Sequence, residues 1–238
     1  MPKPNDHWKV LPHSPLTQLA ENLFTATGQL RMPLGETTRR MTVVRLSGNR
    51  LAIYSAIALN ETEMVKLEAL GKPTYLIVPS DIHRLDAKPW CERYPDLVVL
   101  ALPGSRDKVS KVVTVSATEA NLGDPRVQLL VVPDTRAQEF AIVVETDTGK
   151  TLIVNDLIFN LPAIPGVAGL GLRWLGFGPG GPTMPKLVMM KLIDDKAAVR
   201  AQLEDWAKLA DLERVLVSHG APIENPRNTL LELAGALA

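Results

Sequence analysis

The sequence predicts a layered α/β fold, and three observations carry that reading. Thr151-Leu152-Ile153-Val154 is an unbroken run of apolar and β-branched residues, the pattern of a short strand covered on both faces. Two other apolar runs, ending at Val78 and Val217, stop in polar residues as abruptly as this one stops at Asn155-Asp156. Between the last two strands, Val199, Leu203, Trp206 and Ala210 recur at helical spacing, which gives an amphipathic helix from about Lys196 to Leu212.

Composition narrows the class without naming a function. The 238 residues suffice for one large domain or two small ones with a full core. Lys plus Arg equals Asp plus Glu at 26 each, so no overall field draws the chain to nucleic acid or to a membrane surface, and neither partner is expected. A single cysteine, Cys91, cannot form an internal disulfide, and no basic segment followed by an apolar core opens the chain. Both point to a cytoplasmic protein. Leu157 to Phe177 has about the length of a membrane span, but Asn160, Pro162, Pro165 and Arg173 break it.

Taken in order, residues 1–40 carry prolines at 2, 4, 12, 15 and 33 and read as an extended N-terminal arm. A helical turn or two is expected near Leu16 to Ala26, and Trp8, Val10 and Leu11 would pack the arm down. Residues 41–238 form the main domain. Met41 to Leu46 and Leu51 to Ala56 make a hairpin around Ser47-Gly48-Asn49-Arg50, whose glycine and asparagine suit positive φ. Asn60 caps the next helix, Glu63 returns the bond to its backbone, and Gly71 ends it. Thr74 to Val78 is a buried strand, after which Ser80 caps a helical segment through His83. Leu97 to Leu102 is a further strand, with strand-like pieces at 111–115 and 127–132. Phe140 to Glu145 and Thr151 to Val154 form a second hairpin. Pro162 to Pro185 is an irregular Gly/Pro-rich loop, and Gly176 to Pro182 lacks the Lys-Ser/Thr ending of a phosphate loop. Val215 to Val217 is the last strand, followed by a short helix from about Asn228. The chain thus has two hairpin-led halves, each running into a helix and a strand with a polar end.

The polar strand ends carry the chemistry. A carboxylate at the end of a buried strand is costly unless a cation, donors or water meet it. Loops leaving one edge of a sheet converge, so His83, Asp156 and His219 can share a crevice. Two imidazoles and a carboxylate suit a zinc, iron or manganese ion. Equally, His83 can sit quietly in a helical turn, His219 in a turn before Gly220, and Cys91 beside Trp90 as a small buried residue.

The stretches RMTVVRL, KPTYLIVPS followed by His83, the Trp90 to Leu97 segment, TLIVNDLIFN and RVLVSHG, in this order, resemble the metallo-β-lactamase superfamily and more closely its DUF4336-type branch. The resemblance spans about Arg40 to Ile223. It implies a four-layer αββα sandwich of the α/β (α+β) class with a site at one sheet edge. It places Asp156 at the metal-bridging aspartate, His219 at the last histidine ligand and Glu139 near the histidine that opens a strand. The segment Ser80 to Asp86 lacks the HxHxDH signature, so the metal motif is degenerate. Only His7, His13, His83 and His219 are present, too few for the two-metal site of typical members.

Two functions stay open on this reading. One is a non-catalytic binding or scaffold protein that reuses the fold, with the apolar loop Val167 to Phe177, including Trp174 and Phe177, covering a small-molecule cleft or forming a homo-oligomer contact. The alternative is a mononuclear hydrolase of an ester, thioester, lactone or phosphoester. Its one divalent metal would be held by His83, Asp156 and His219 with Glu139 as a further candidate, and Asp156 would double as the catalytic group.

Overall fold

The computed structural model describes residues 3–32, 35–118, 121–163, 171, 176 and 180–237. The chain divides into two compact units, Met1–Leu129 and Leu130–Ala238. Each is a sheet with its own helices, and together the described residues hold six helices.

The first unit contains a six-stranded sheet in sequential order: β1 (Thr17–Ala20), β2 (Leu23–Met32), β3 (Gly35–Leu46), β4 (Arg50–Tyr54), β5 (Lys72–Ile77) and β6 (Val98–Leu100). Strands β1 to β4 are antiparallel, whereas β4, β5 and β6 are parallel. A parallel step requires a crossover. Helix α1 (Glu61–Leu70) supplies the first and α2 (Ala87–Arg93) the second; α3 (Pro103–Val109) follows β6. The β3–β4 turn forms as expected, with Gly48 and Asn49 at φ 71° and 59°. Met41, Val43, Leu51, Ile53, Leu76 and Trp90 lie in the core of this unit.

Residues 17–40 differ from the expected arm. No helical turn forms at Leu16 to Ala26; β1 and β2 occupy that stretch, and β2 pairs along its whole length with β3, from Leu23 opposite Val44 to Met32 opposite Gly35. Among the described prolines of the segment, Pro4, Pro12 and Pro15 all precede β1. Because the strand partner rather than a local period stabilises the extended conformation, the periodicity of the segment alone does not reveal it. Residues ahead of β1 are pinned by polar contacts. Asn5 Nδ2 donates to Asp86 Oδ1 at 2.7 Å, Trp8 Nε1 to the Leu59 carbonyl at 2.9 Å, and the Trp8 ring packs on Trp90 with centroids 5.5 Å apart. Asp86 also pairs with Arg39, both buried, and Arg39 Nη1 reaches the Ala56 carbonyl at 3.2 Å. Removing one member of such a pair strands a buried charge, at about 3–5 kcal/mol.

The start of α1 is capped in part as expected. Asn60 Oδ1 accepts from the Glu63 amide at 3.0 Å, and Gly71 ends the helix. The return bond is different: the Asn60 amide donates to His13 Nε2 at 3.0 Å, and the Glu63 carboxylate instead accepts from the Leu16 amide at 2.8 Å and from Lys66 Nζ at 2.8 Å. The Lys66 bond first, then the Leu16 amide, hold the Glu63 carboxyl below its ordinary value of 4.5. A depressed folded pKa contributes stability that is present above the unfolded value and lost as pH falls through the folded one. Acidification below pH 4.5 therefore loosens this clasp. The protection factor of the Leu16 amide should fall over that range in the wild type and stay level in Glu63→Gln; an identical profile in both would disprove the clasp.

The second unit contains a four-stranded sheet in the order β12-β9-β8-β7, formed by β7 (Val127–Val131, which enters this unit at Leu130), β8 (Phe140–Glu145), β9 (Lys150–Val154) and β12 (Leu212–Val217). A small ladder, β10 (Phe159–Leu161) with β11 (Gly181–Thr183), stands apart. The helices are α4 (Lys186–Leu192), α5 (Lys196–Ala207) and α6 (Pro226–Gly235). Strand β9 is internal, antiparallel to β8 and parallel to β12, and Thr151 to Val154 are buried throughout, as their composition requires. In α5, Val199, Leu203 and Trp206 face the core, and Asp195 caps the first turn by accepting from the Ala197 amide at 2.8 Å. The helix stops at Ala207, before the expected Leu212, which is already the first residue of β12. Past β12 the chain turns back, and Ile223 exchanges both backbone hydrogen bonds with Val215.

Both units repeat one sequence of elements: a hairpin, a helix and a strand parallel to the hairpin's second strand. These are β3-β4, α1 and β5 in one, and β8-β9, α5 and β12 in the other. Two smaller expectations are corrected. His83 lies in a turn, its amide bonded to the Ser80 carbonyl at 3.2 Å, and helix α2 begins only at Ala87. Residues 111–115 form no strand, the bridge to β6 being made by Ala117. Val167, Trp174 and Phe177 lie outside the described residues. No helix among the described residues is long and apolar enough to cross a membrane.

Candidate metal centre

Parallel register decides which side chains meet in the second unit. Val217 of β12 lies opposite Val154 of β9, so the chain leaves both strands at the same end, and Ser218-His219 runs beside Asn155-Asp156. The pairs form in that order. Ser218 Oγ donates to Asn155 Oδ1 at 2.7 Å, and His219 Nε2 stands 3.3 Å from Asp156 Oδ1. All four residues are buried.

Three contacts fix the imidazole. Its ring stacks on Phe159 with centroids 5.0 Å apart and planes 9° from parallel. The His219 carbonyl accepts from the Asn160 amide at 3.0 Å, and the Ala221 amide donates to the Asn160 carbonyl at 3.0 Å. Between these bonds, Gly220 adopts φ 109°, where a Cβ would fall 1.9 Å from the Asn160 carbonyl oxygen. Only glycine admits that approach.

Glu139 stands just ahead of β8 and is wholly buried. Its Oε1 accepts from the Asn155 amide at 2.8 Å and the Leu157 amide at 3.3 Å, and its Oε2 from the Asp156 amide at 3.3 Å. Burial, then the charge of Asp156, push its carboxyl well above the ordinary value; the three amides pull the other way and are outweighed.

In the first unit, His83 is buried in the turn after β5, and its Nδ1 lies 2.7 Å from Ser55 Oγ. Ser55 follows β4 directly, at φ 56°. The structure therefore joins Asp156 with His219, sets Glu139 beneath the loop that carries Asp156, and gives His83 a hydroxyl partner in its own unit. Ser55, Asn155, Ser218, Phe159 and Gly220 were not singled out from sequence as parts of a site. Asn155 and Ser218 were findable, because each precedes a proposed ligand at the end of an apolar run. Cys91 is half-buried, and burial pushes its thiol up to about 11, which keeps it protonated and unreactive at neutral pH.

No family model matches the sequence, and no curated protein does. Solved structures do match. The DIM-1 metallo-β-lactamase exposed to ceftazidime superposes with a TM-score of 0.65 at 13% identity, over 97% of this chain and 100% of that one. The chain has the metallo-β-lactamase fold. A metallo-β-lactamase from Erythrobacter litoralis with β-mercaptoethanol in its active site gives 0.58 at 14% identity, covering 93% of this chain and 96% of the other. FIM-1 from Pseudomonas aeruginosa, in its mono-zinc form, gives 0.58 at 12% identity over 94% and 96%. The mixed α/β architecture thus agrees with the αββα class that the sequence resemblance implied.

The donor chemistry of the second unit fits a divalent ion. An imidazole nitrogen and a carboxylate oxygen, both buried, approach each other at the closing ends of adjacent strands. Asn155 Nδ2 nearby is a buried donor without a hydrogen-bond partner among the described residues.

Proposed function

We propose that this protein is a mononuclear metal-dependent hydrolase of a small ester, thioester, lactone or phosphoester. The observation that carries the proposal is the buried Asp156–His219 pair, Nε2 and Oδ1 3.3 Å apart. The donor set we propose is the one expected from the sequence, Asp156 and His219 with His83 as the third. His83 would serve through Nε2, because Ser55 engages Nδ1; this division of one ring between a ligand bond and an orienting hydrogen bond is usual for metal-binding histidines. Two imidazoles and a carboxylate suit zinc, iron or manganese.

A bound divalent ion supplies Lewis-acid polarisation of a substrate oxygen and acidifies water. The chain's own residues do the rest. The Asp156 carboxylate orients the attacking water and accepts its proton, and His219 is held in register by Phe159 and Gly220. The quoted stretches make the DUF4336-type branch the placement we favour within the superfamily, and the degenerate motif favours one ion over two.

A second reading, ligand binding without turnover, is favoured by the segment Ser80 to Asp86, which offers His83 alone in place of a histidine-rich signature. Elemental analysis after exposure to zinc, iron or manganese and desalting tests the hydrolase: about one ion per chain is expected, and none with any of the three would overturn it. Hydrolysis of an ester, thioester, lactone and phosphoester panel by the loaded protein separates the readings. Turnover supports the hydrolase, and a metal-loaded protein inert on all four classes supports binding alone.

A further inference from the structure

We infer that Glu139 is a positioning residue: its carboxylate holds the backbone of Asn155, Asp156 and Leu157 and thereby aims the Asp156 carboxylate at His219. For the metal role this rests on the function proposed above, whereas the clamp itself does not.

The geometry separates three roles that a buried carboxylate could play here. As a ligand, Glu139 would have to turn an oxygen toward the ion. Both oxygens instead face backbone N–H groups, Oε1 two of them and Oε2 the third. As a mere core filler, it would be a poor choice, since a buried carboxylate is costly where apolar residues of similar size would pack. As a clamp, it explains the pattern. Three consecutive amides converging on one carboxyl form a concavity of backbone donors. Here the acceptor belongs to the chain itself.

The clamp is anchored at its other end. The Glu139 carbonyl accepts from the Val132 amide at 3.0 Å, and Phe140, the next residue, begins β8. The carboxylate therefore refers the loop after β9 back to the sheet. Asn155 is held twice, by Glu139 through its amide and by Ser218 through its side chain. Asp156 is held at its amide by Glu139 Oε2. That contact bears on the backbone from which the ligand side chain projects.

Glu139→Gln isolates this contact. A glutamine matches the shape and can keep its oxygen on the Asn155 and Leu157 amides, but its Nε2 then opposes the Asp156 N–H, donor against donor. We expect faster hydrogen exchange at the Asp156 amide of the metal-free variant, with Asn155 still protected. Zinc affinity, read by chelator competition, should fall about 10–100-fold, the usual cost of losing a partner that orients a ligand. Leu203→Ala, a core change in α5 that lowers stability without touching the loop, serves as the control and should bind zinc as the wild type does.

Weaker zinc binding with unchanged amide exchange would make Glu139 a ligand and overturn the inference. Released amides with unchanged zinc affinity would also overturn it, because the residue would then be structural only. If Glu139→Gln does not fold, the wild type alone decides: amides 155 to 157 lie outside any strand, so their protection supports the clamp and rapid exchange refutes it. A wild type that binds no zinc sinks the metal reading, while the exchange pattern still judges the clamp.

Discussion

Alanine at position 220 disables the centre although it alters none of the proposed ligands. At φ 109° an L side chain is strained by about 1–3 kcal/mol. The new Cβ would also lie 1.9 Å from the oxygen and 2.3 Å from the carbon of the Asn160 carbonyl, backbone atoms that cannot swing aside. Relief requires separating the chain at 219–221 from Asn160, which breaks the two bonds that hold His219 and draws the imidazole off Phe159. The expected result is a melting point lower by roughly 2–12 °C, from about 1–3 kcal/mol at 2–4 °C each in a chain of this size, together with loss of zinc binding. Gly181 makes the comparison sharp. It too has positive φ, 91°, but nothing among the described residues lies within 4 Å of its would-be Cβ, so Gly181→Ala carries the strain without a collision there and retains zinc. Equal melting points and equal zinc content in Gly220→Ala and the wild type would refute this account.

Asp156→Asn and His219→Ala should each reduce bound zinc from about one ion per chain to none, since a three-donor site does not survive the loss of one donor with useful affinity. The aspartate variant has a second, opposite effect. Asp156 and Glu139 are buried carboxylates close enough for the charge of one to raise the pKa of the other. Neutralising Asp156 removes that repulsion, so the metal-free Asp156→Asn protein should melt no lower than the metal-free wild type. Function at the expense of stability is the expected signature of a ligand kept for its chemistry. A markedly lower melting point would mark Asp156 as a structural group, and retained zinc would remove it from the centre. Calorimetry and elemental analysis on the same preparations measure both.

What could be read from the sequence was what depends on neighbours along the chain. Strand β9 was legible because four successive residues avoid water on both faces, and the turn at 47–50 because glycine and asparagine tolerate positive φ. Asp156 and His219 were legible as candidates because each closes a buried run, and parallel register then carries them side by side. Strands β1 and β2 were not, since their extended form depends on pairing and Thr17 to Met32 shows no period of its own. Ser80 misled because a residue that caps helices also opens simple turns. The burial of Glu139, a candidate by resemblance alone, was hidden for a related reason. Its burial is tolerable only through three amides found 16 to 18 residues later, and nothing in its own surroundings announces them.

The return of Ile223 onto Val215 has a consequence for solubility. β12 forms one border of its sheet, and a bare border offers a row of unsatisfied donors and acceptors to any passing extended peptide. Ile223 occupies that row at its midpoint, leaving no continuous stretch on which an intruder could zip up. The strand that presents His219 is thereby shielded from templating fibrils by the residues that follow it.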